Sequence, residues 1–220
     1  MIVCLSDDFS SFRKDRIDPT YKGVRASVER PEFLYEVKDW LRSQYTTEER
    51  TALEADDVLG ILATDPNRTD ERIIVSMDKD LMTIPGQLYR PQEQVSGRKA
   101  KIRQISPEDA ARYHLYQTLI GDTTDGYPGL PGTGPAMAEL ILNGGLWGQV
   151  ERTLKSGPRK GLVLKEWVMG QHAGPAWERV VAAYAKAGLT AADALKQARL
   201  ARILHYTDYD GKSPILWLPD

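Results

Sequence analysis

The chain has a single cysteine among its 220 residues. A lone thiol excludes an intramolecular disulfide and any zinc cluster built on cysteines. Cys4 sits among Ile2, Val3 and Leu5, which reads as a buried strand thiol rather than a reactive one. Long apolar runs are also lacking. No stretch approaches the roughly 18–20 residues that a bilayer-spanning helix needs. The apolar opening ends at Ser6, Asp7 and Asp8, far too short for a signal peptide. Internal repeats and low-complexity segments are absent as well. The compartment expected from these absences is a reducing cytoplasm, with no membrane partner.

What is present is ordinary in bulk and uneven in detail. Hydrophobic content of 41% and charged content of 27% suit a soluble globular protein. The net charge of −2 is not that of a nucleic-acid coat protein, but the charges are segregated. Arg13, Lys14, Arg16, Lys22 and Arg25 cluster early, Arg98, Lys99, Lys101 and Arg103 in the middle, and Lys155, Arg159, Lys160 and Lys165 later. The acids gather elsewhere, at 54–57, 78–80 and 122–125. Two readings stand: a mixed solvated surface, or phosphates held at a basic rim around cations at an acidic centre.

Periodicity predicts the organisation. Residues 2–6 and Ile73-Ile74-Val75 read as buried strands, each running into an acid. Phe33, Leu34, Val37, Trp40 and Leu41 recur at helical spacing, and a second helix is expected from about Glu54 to Pro66. Residues 86–104 read as a loop with a short strand or hairpin. Ser106-Pro107-Glu108-Asp109 is a helix start, with Ser as N-cap and Pro at the first helical position. Helices are expected to Ile120 and over 135–142, 175–187 and 190–203, with 145–172 irregular. Alternating strands and helices followed by helices predict an α/β sheet, 1–105, and a helical region, 106–220.

Asp7, Glu54, Asp56, Asp57, Asp78, Asp80, Asp122 and Asp125 fall at strand ends or in turns beside helices. Ligands of open parallel α/β sheets bind at the carboxyl ends of strands. Carboxylates brought together there repel unless cations neutralise them. Mg²⁺ is the natural ion, and two such ions would activate water and stabilise the leaving oxygen of a phosphodiester. For any one acid, the alternative is a helix cap or an offset to the helix dipole.

Pro128-Gly129-Leu130-Pro131-Gly132-Thr133-Gly134-Pro135 joins two expected helices. Bare amides at Gly129, Gly132 and Gly134 are suited to a phosphate backbone, as in a helix–hairpin–helix. The plain alternative is an interhelical turn. Tyr21-Lys22-Gly23-Val24-Arg25 offers two cations and an aromatic ring for a phosphate and an end base, or a solvated basic loop.

Together these segments resemble the structure-specific 5′-nuclease family, which includes the flap endonucleases and the 5′-nuclease domain of bacterial DNA polymerase I. The residues that carry the likeness are Ser6-Asp7, Phe12-Arg13, Tyr21 to Arg25, Glu54-Ala55-Asp56-Asp57-Val58, Asp78-Lys79-Asp80 and Gly121 to Gly129. Within the family the chain is most like the 5′-exonucleases of short-tailed T-odd phages, through Trp40, Lys155-Ser156-Gly157 and Ala201-Arg202-Ile203-Leu204. The resemblance implies a PIN-like α/β nuclease domain with a helix–three-turn–helix DNA-binding element, active in the host cytoplasm. It implies 5′→3′ hydrolysis of duplex DNA at a 5′ end or flap, removal of RNA from RNA/DNA hybrids, and dependence on two Mg²⁺ or Mn²⁺ ions. Asp7, Glu54, Asp56 and Asp57 would hold the first ion, and Asp78, Asp80, Asp122 and Asp125 the second. Lys22 and Arg25 would contact the scissile phosphate, and Tyr21 would stack near the 5′ end. Residues 26–45 would form a helical gateway, and the glycine turn would grip the duplex, with K⁺ an expected companion.

Family members carry a further strand and helix before the part that matches Ile2–Asp7, and that strand supplies an aspartate to the first metal site. Three explanations stay open: a short separate polypeptide supplies the strand, the sequence is truncated, or the protein is reduced. Two functions are carried forward. One is a metal-dependent 5′→3′ exonuclease, alone or as the large part of a split enzyme. The other is a non-catalytic DNA-binding accessory protein with an incomplete metal site. A ribonuclease is disfavoured by the duplex-gripping turn.

Overall fold

The first apolar run, Ile2–Leu5, forms strand β1, and pairs in parallel with β2, Thr46–Glu49. The computed structural model describes residues 1–23, 28–91, 100–172 and 174–219. Between these strands lie helix α1 (Phe12–Arg16) and helix α2 (Leu34–Gln44). Helix α3, Ala55–Ala63, follows β2 and buries Val58 and Ile61. Strand β3, Ile73–Val75, pairs in parallel with β4, Gly86–Tyr89, and β4 takes β5, Ile102–Ile105, in antiparallel register. The α/β class expected from the sequence is therefore the one that forms.

Strands β1 to β5 make two separate sheets rather than one, β1–β2 and β3–β4–β5. Between them runs a groove of about 300 Å³, lined by Ile2 and Cys4 of β1, Leu59 and Leu62 of α3, and Ile73 and Ile74 of β3. The expected burial of β3 is corrected in consequence: only Ile74 is buried, while Ile73 and Val75 are 42% and 60% exposed. Cys4 is half-buried, and burial pushes its thiol up to about 11. It is protonated at neutral pH, as the inert reading requires.

Helix α2 also turns out differently. Its apolar positions face outward, with Val37 and Trp40 about half exposed. Lys38 is the buried one, donating to the Ser6 carbonyl and to Asp8. Spacing fixes which residues share a face, not which way the face points.

Helix α4, Pro107–Ile120, begins as its sequence predicts: Ser106 Oγ accepts from the Asp109 amide at 3.0 Å, with proline in the first turn. It ends at Gly121, where φ is +68° and any Cβ would lie 2.3 Å from the backbone of Pro128. Two stretches of backbone meet there at a distance that only glycine allows. Helices α5 (Pro135–Leu142), α6 (Ala176–Lys186) and α7 (Ala191–Ala201) complete the helical part. Leu115, Leu119, Ile141, Val180 and Tyr184 centre its core. Residues 145–172, expected to be irregular, instead form a long antiparallel hairpin of β6 (Gly145–Thr153) and β7 (Val163–Gln171). Its glycines and charges mask the alternation that marks a half-buried strand.

The two parts interlock. Ala110 of α4 and Ile203 join Leu81, Ile84 and Leu88 in one apolar cluster, and Leu204 joins Phe12, Leu53, Val58 and Ile61 in another.

Candidate nuclease site

The start of α3, the turn after β3 and the turn after α4 converge on one crevice. Its lining includes Lys22, Glu54, Asp56, Asp78, Asp80 and Asp125, and its volume is about 110 Å³. Asp56 sits in the first turn of α3, and Asp80 opens a short 3₁₀ helix, Asp80–Thr83. Asp78 Oδ1 accepts from the Asp80 amide at 2.8 Å, which fixes the turn after β3. Asp122 Oδ1 accepts from the Thr124 amide at 2.7 Å and fixes the turn after α4.

The electrostatics of this crevice are those of crowded acids. Burial, then the charges of Asp78, Asp57 and Glu54, push Asp56 up to about 7. Burial and the charges of Asp78, Asp122 and Asp125 push Asp80 up to about 6. Asp80 Oδ1 is buried and has no hydrogen-bond partner. Glu54 goes the other way: burial raises it, but Arg13 and Lys22 outweigh that and hold it below the usual range. Lys22 Nζ lies 2.5 Å from Glu54 Oε2 and 3.7 Å from Asp125 Oδ2. Its own backbone is left-handed at φ +53°, with its amide bonded to the Asp125 carbonyl at 2.8 Å. Lys22 therefore spans the crevice between two of the acidic segments.

No group of three or more His, Cys, Asp or Glu among the described residues is drawn together tightly enough to cage an ion unaided. The donor set nonetheless suits a hard divalent cation, because oxygen ligands supply it and one buried oxygen of Asp80 has nothing else to bind.

Several sequence expectations are corrected by the geometry. Asp57 is no free ligand. It is fully buried and takes two bonds of 2.7 Å from Arg13, with further bonds from the amides of Glu54 and Leu204. Every lone-pair direction is used, so the carboxylate has no face left for an ion. Tyr21 is 4% exposed and packs with Tyr127, Leu200 and Ala201, so its ring is out of reach of an end base. Its hydroxyl donates to Asp125 at 3.3 Å. The Gly129 amide is buried and bonded to Gln197 Oε1 at 3.0 Å, so it has no proton to offer a phosphate. Gly132 and Gly134 remain open, with nothing within 4 Å of an added Cβ.

Asp7 lines a neighbouring cavity together with Glu54 and Asp56. Bonds from Ser10, Ala52 and Phe9 lower Asp7 to about 2, and no carboxylate is among the causes. Arg25 lies outside the described residues, as do Arg98 and Lys99 of the middle basic cluster.

Arg13 is the residue whose role the sequence concealed. Placed by composition in a basic rim, it is 3% exposed and at the centre of the site's scaffold. Besides Asp57, it donates to the carbonyls of Leu200 and Arg202. Phe12 and Tyr21 pack on its guanidinium at 4.6 and 5.9 Å. The neighbouring aromatic Phe12 was the one local hint of burial.

No family model matches the chain. The chain is 34% identical to the exonuclease of Escherichia phage T7, over 99% of its own length and 74% of that protein. It is 34% identical to the exodeoxyribonuclease of Enterobacteria phage T3, over 99% and 73%. Among solved structures it is similar to the T5 5′-exonuclease bound to divalent zinc ions, at 20% identity and a TM-score of 0.49, over 63% of this chain and 57% of that one. With that identity to two phage exonucleases maintained along nearly its whole length, the chain belongs to the 5′-nuclease family.

Proposed function

We propose that the chain is a divalent-metal-dependent 5′→3′ exonuclease. It hydrolyses duplex DNA from a 5′ end or flap, and the RNA of RNA/DNA hybrids. The observation that carries this reading is the crowding of carboxylates in one crevice, where burial and neighbouring acids raise Asp56 and Asp80 and one buried oxygen of Asp80 has no partner. A DNA-binding accessory protein gains nothing from such repulsion, whereas a cation relieves it.

Glu54, Asp56 and Asp7 would hold one Mg²⁺ or Mn²⁺. Asp78, Asp80, Asp122 and Asp125 hold the other. When bound, the two ions supply a nucleophilic water and neutralise the leaving oxygen. The protein's own groups do the rest. Lys22, poised between Glu54 and Asp125, turns its ammonium toward the scissile phosphate and neutralises charge there, with Arg25 as its companion. Arg13 and Asp57 lock the start of α3 so that Glu54 and Asp56 keep their bearing. The open amides at Gly132 and Gly134, at the N-terminus of α5, hold the duplex backbone, with K⁺ accompanying.

Asp56→Asn and Asp78→Asn test the reading. Each lowers turnover of 5′-labelled duplex by at least about 10³-fold with little change in duplex affinity, and excess chelator abolishes cutting. Wild-type turnover in both variants, or full activity in chelator, overturns it. Gly134→Val separates gripping from cutting, weakening duplex binding while sparing turnover of bound duplex; Lys22→Ala does the reverse.

The groove between β1 and β3 favours a second element of the same reading: a further strand fills it and brings another acid to the first ion. Unpaired strand edges recruit such partners. A peptide of alternating apolar pattern ending in aspartate then raises melting temperature and nuclease rate together. No change in either overturns the completing strand and leaves the nuclease reading standing.

A further inference from the structure

The β6–β7 hairpin is built differently from everything around it. Nine residues pair with nine, Gly145 opposite Gln171 through to Thr153 opposite Val163, giving an arm about 30 Å long at ~3.4 Å per residue. Its substantial packing is at its root, against α5 and α6. The root is closed by the His172 amide bonded to the Gly144 carbonyl at 2.7 Å. A two-stranded ribbon is marginal in water by itself and gains from a surface to lie on.

The tip of the arm is basic. Between Glu151 and Leu164, four basic side chains, Arg152, Lys155, Arg159 and Lys160, oppose the one acid Glu151. Lys155, Arg159 and Lys160 are exposed and, among the described residues, have no carboxylate in ion-pair range. The tip is not slack. The Gly161 amide bonds to Leu154 O at 2.9 Å, the Lys160 amide to Gly157 O and the Leu162 amide to Arg159 O at 3.0 Å each, so the cations are displayed on fixed backbone. Gly157 and Gly161, at φ +82° and +92°, make that fold-back possible.

We infer that this hairpin is a second, non-catalytic clamp for the phosphate backbone of duplex DNA. Lys155, Arg159 and Lys160 would contact phosphates away from the cleavage crevice. The inference rests on the DNA-cutting function proposed above, and adds to it the source of the binding energy. An acidic crevice repels a polyanion, so attraction has to come from elsewhere on the surface. The arm grows from the C-terminal end of α5, whose N-terminal end carries the open glycines Gly132 and Gly134. One short helix thus links the two grips. An arm of ~30 Å lies along about nine base pairs at ~3.4 Å each.

The experiment is the salt dependence of duplex binding by the full chain in chelator, where nothing is cut. Replacing Lys155, Arg159 and Lys160 together with alanine lowers the slope of log affinity against log salt by about 2 to 3, since each phosphate contact contributes about 0.9. Affinity near 0.1 M salt falls at least tenfold, while turnover of saturating duplex with Mg²⁺ stays within about twofold of wild type. An unchanged slope overturns the clamp. If the triple variant does not fold, Lys160→Gln alone serves, expected to lower the slope by about 0.9. A lowered slope in a protein that never cuts DNA overturns the nuclease reading and leaves the clamp standing.

Discussion

The carboxylate half and the helical half of this chain are stabilised by opposite means. Around α4, α6 and α7, one large apolar cluster is sealed by neutral bonds, such as the Tyr184 hydroxyl donating to the Thr118 carbonyl at 2.7 Å. Around α3 the apolar clusters are smaller and the sheet is divided. Its buried anchor is an ion pair, Arg13 with Asp57. The lesson is that the carboxylate half gives up stability to hold charge, and the helical half supplies the rigidity against which that charge is held.

Removing the anchor is the harshest way to break this contrast. Arg13→Met leaves Asp57 buried and unpaired, which costs about 3–5 kcal/mol. Denaturant titration measures it, and a loss under about 1 kcal/mol would show that the pair is dispensable. The next effect concerns protons. Asp56 and Asp80 have folded pKa values raised above their unfolded ones, so in chelator the fold binds the extra protons and is favoured at the lower pH. Raising pH from 5.5 to 8 passes through both values and removes that stability. Melting temperature should fall on the order of 5 °C in chelator, and saturating Mg²⁺ should erase the fall. A melt indifferent to both pH and metal would deny that the crevice is strained. The smallest effect belongs to the other half. Tyr184→Phe loses one buried hydrogen bond, about 1 kcal/mol, by the same amount with and without Mg²⁺. A metal-dependent loss would mean that the two halves are not so separate.

The sequence made the local parts of this structure readable. Ser106 and Pro107 announce α4, and Asp56, Asp78 and Asp80 announce the crevice, because caps and acid-ended strands are short-range patterns. What escaped was non-local. Arg13 meets Asp57 44 positions away, and Gly129 meets Gln197 across 68. No window on the sequence contains either pair. Trp40 and Lys38 show the same limit on a helix, where periodicity gives a face without its direction. Tyr21 shows it for an aromatic ring, equally apt for stacking on a base or filling a core until the neighbours are known.

One guanidinium has a bearing on how the molecule comes into being. Arg13 lies near one end of the chain, yet it donates to carbonyls 187 and 189 positions further on. Contacts of such separation pay their loop-closure entropy before they gain anything, so they form late. During synthesis, α3 and its acids leave the ribosome long before Leu200 and Arg202, so the scaffold behind the acids lacks its final bonds until those two residues have emerged. The acids at the start of α3 thus gain their final backing only once the far end of α7 has been made and has folded back onto Arg13.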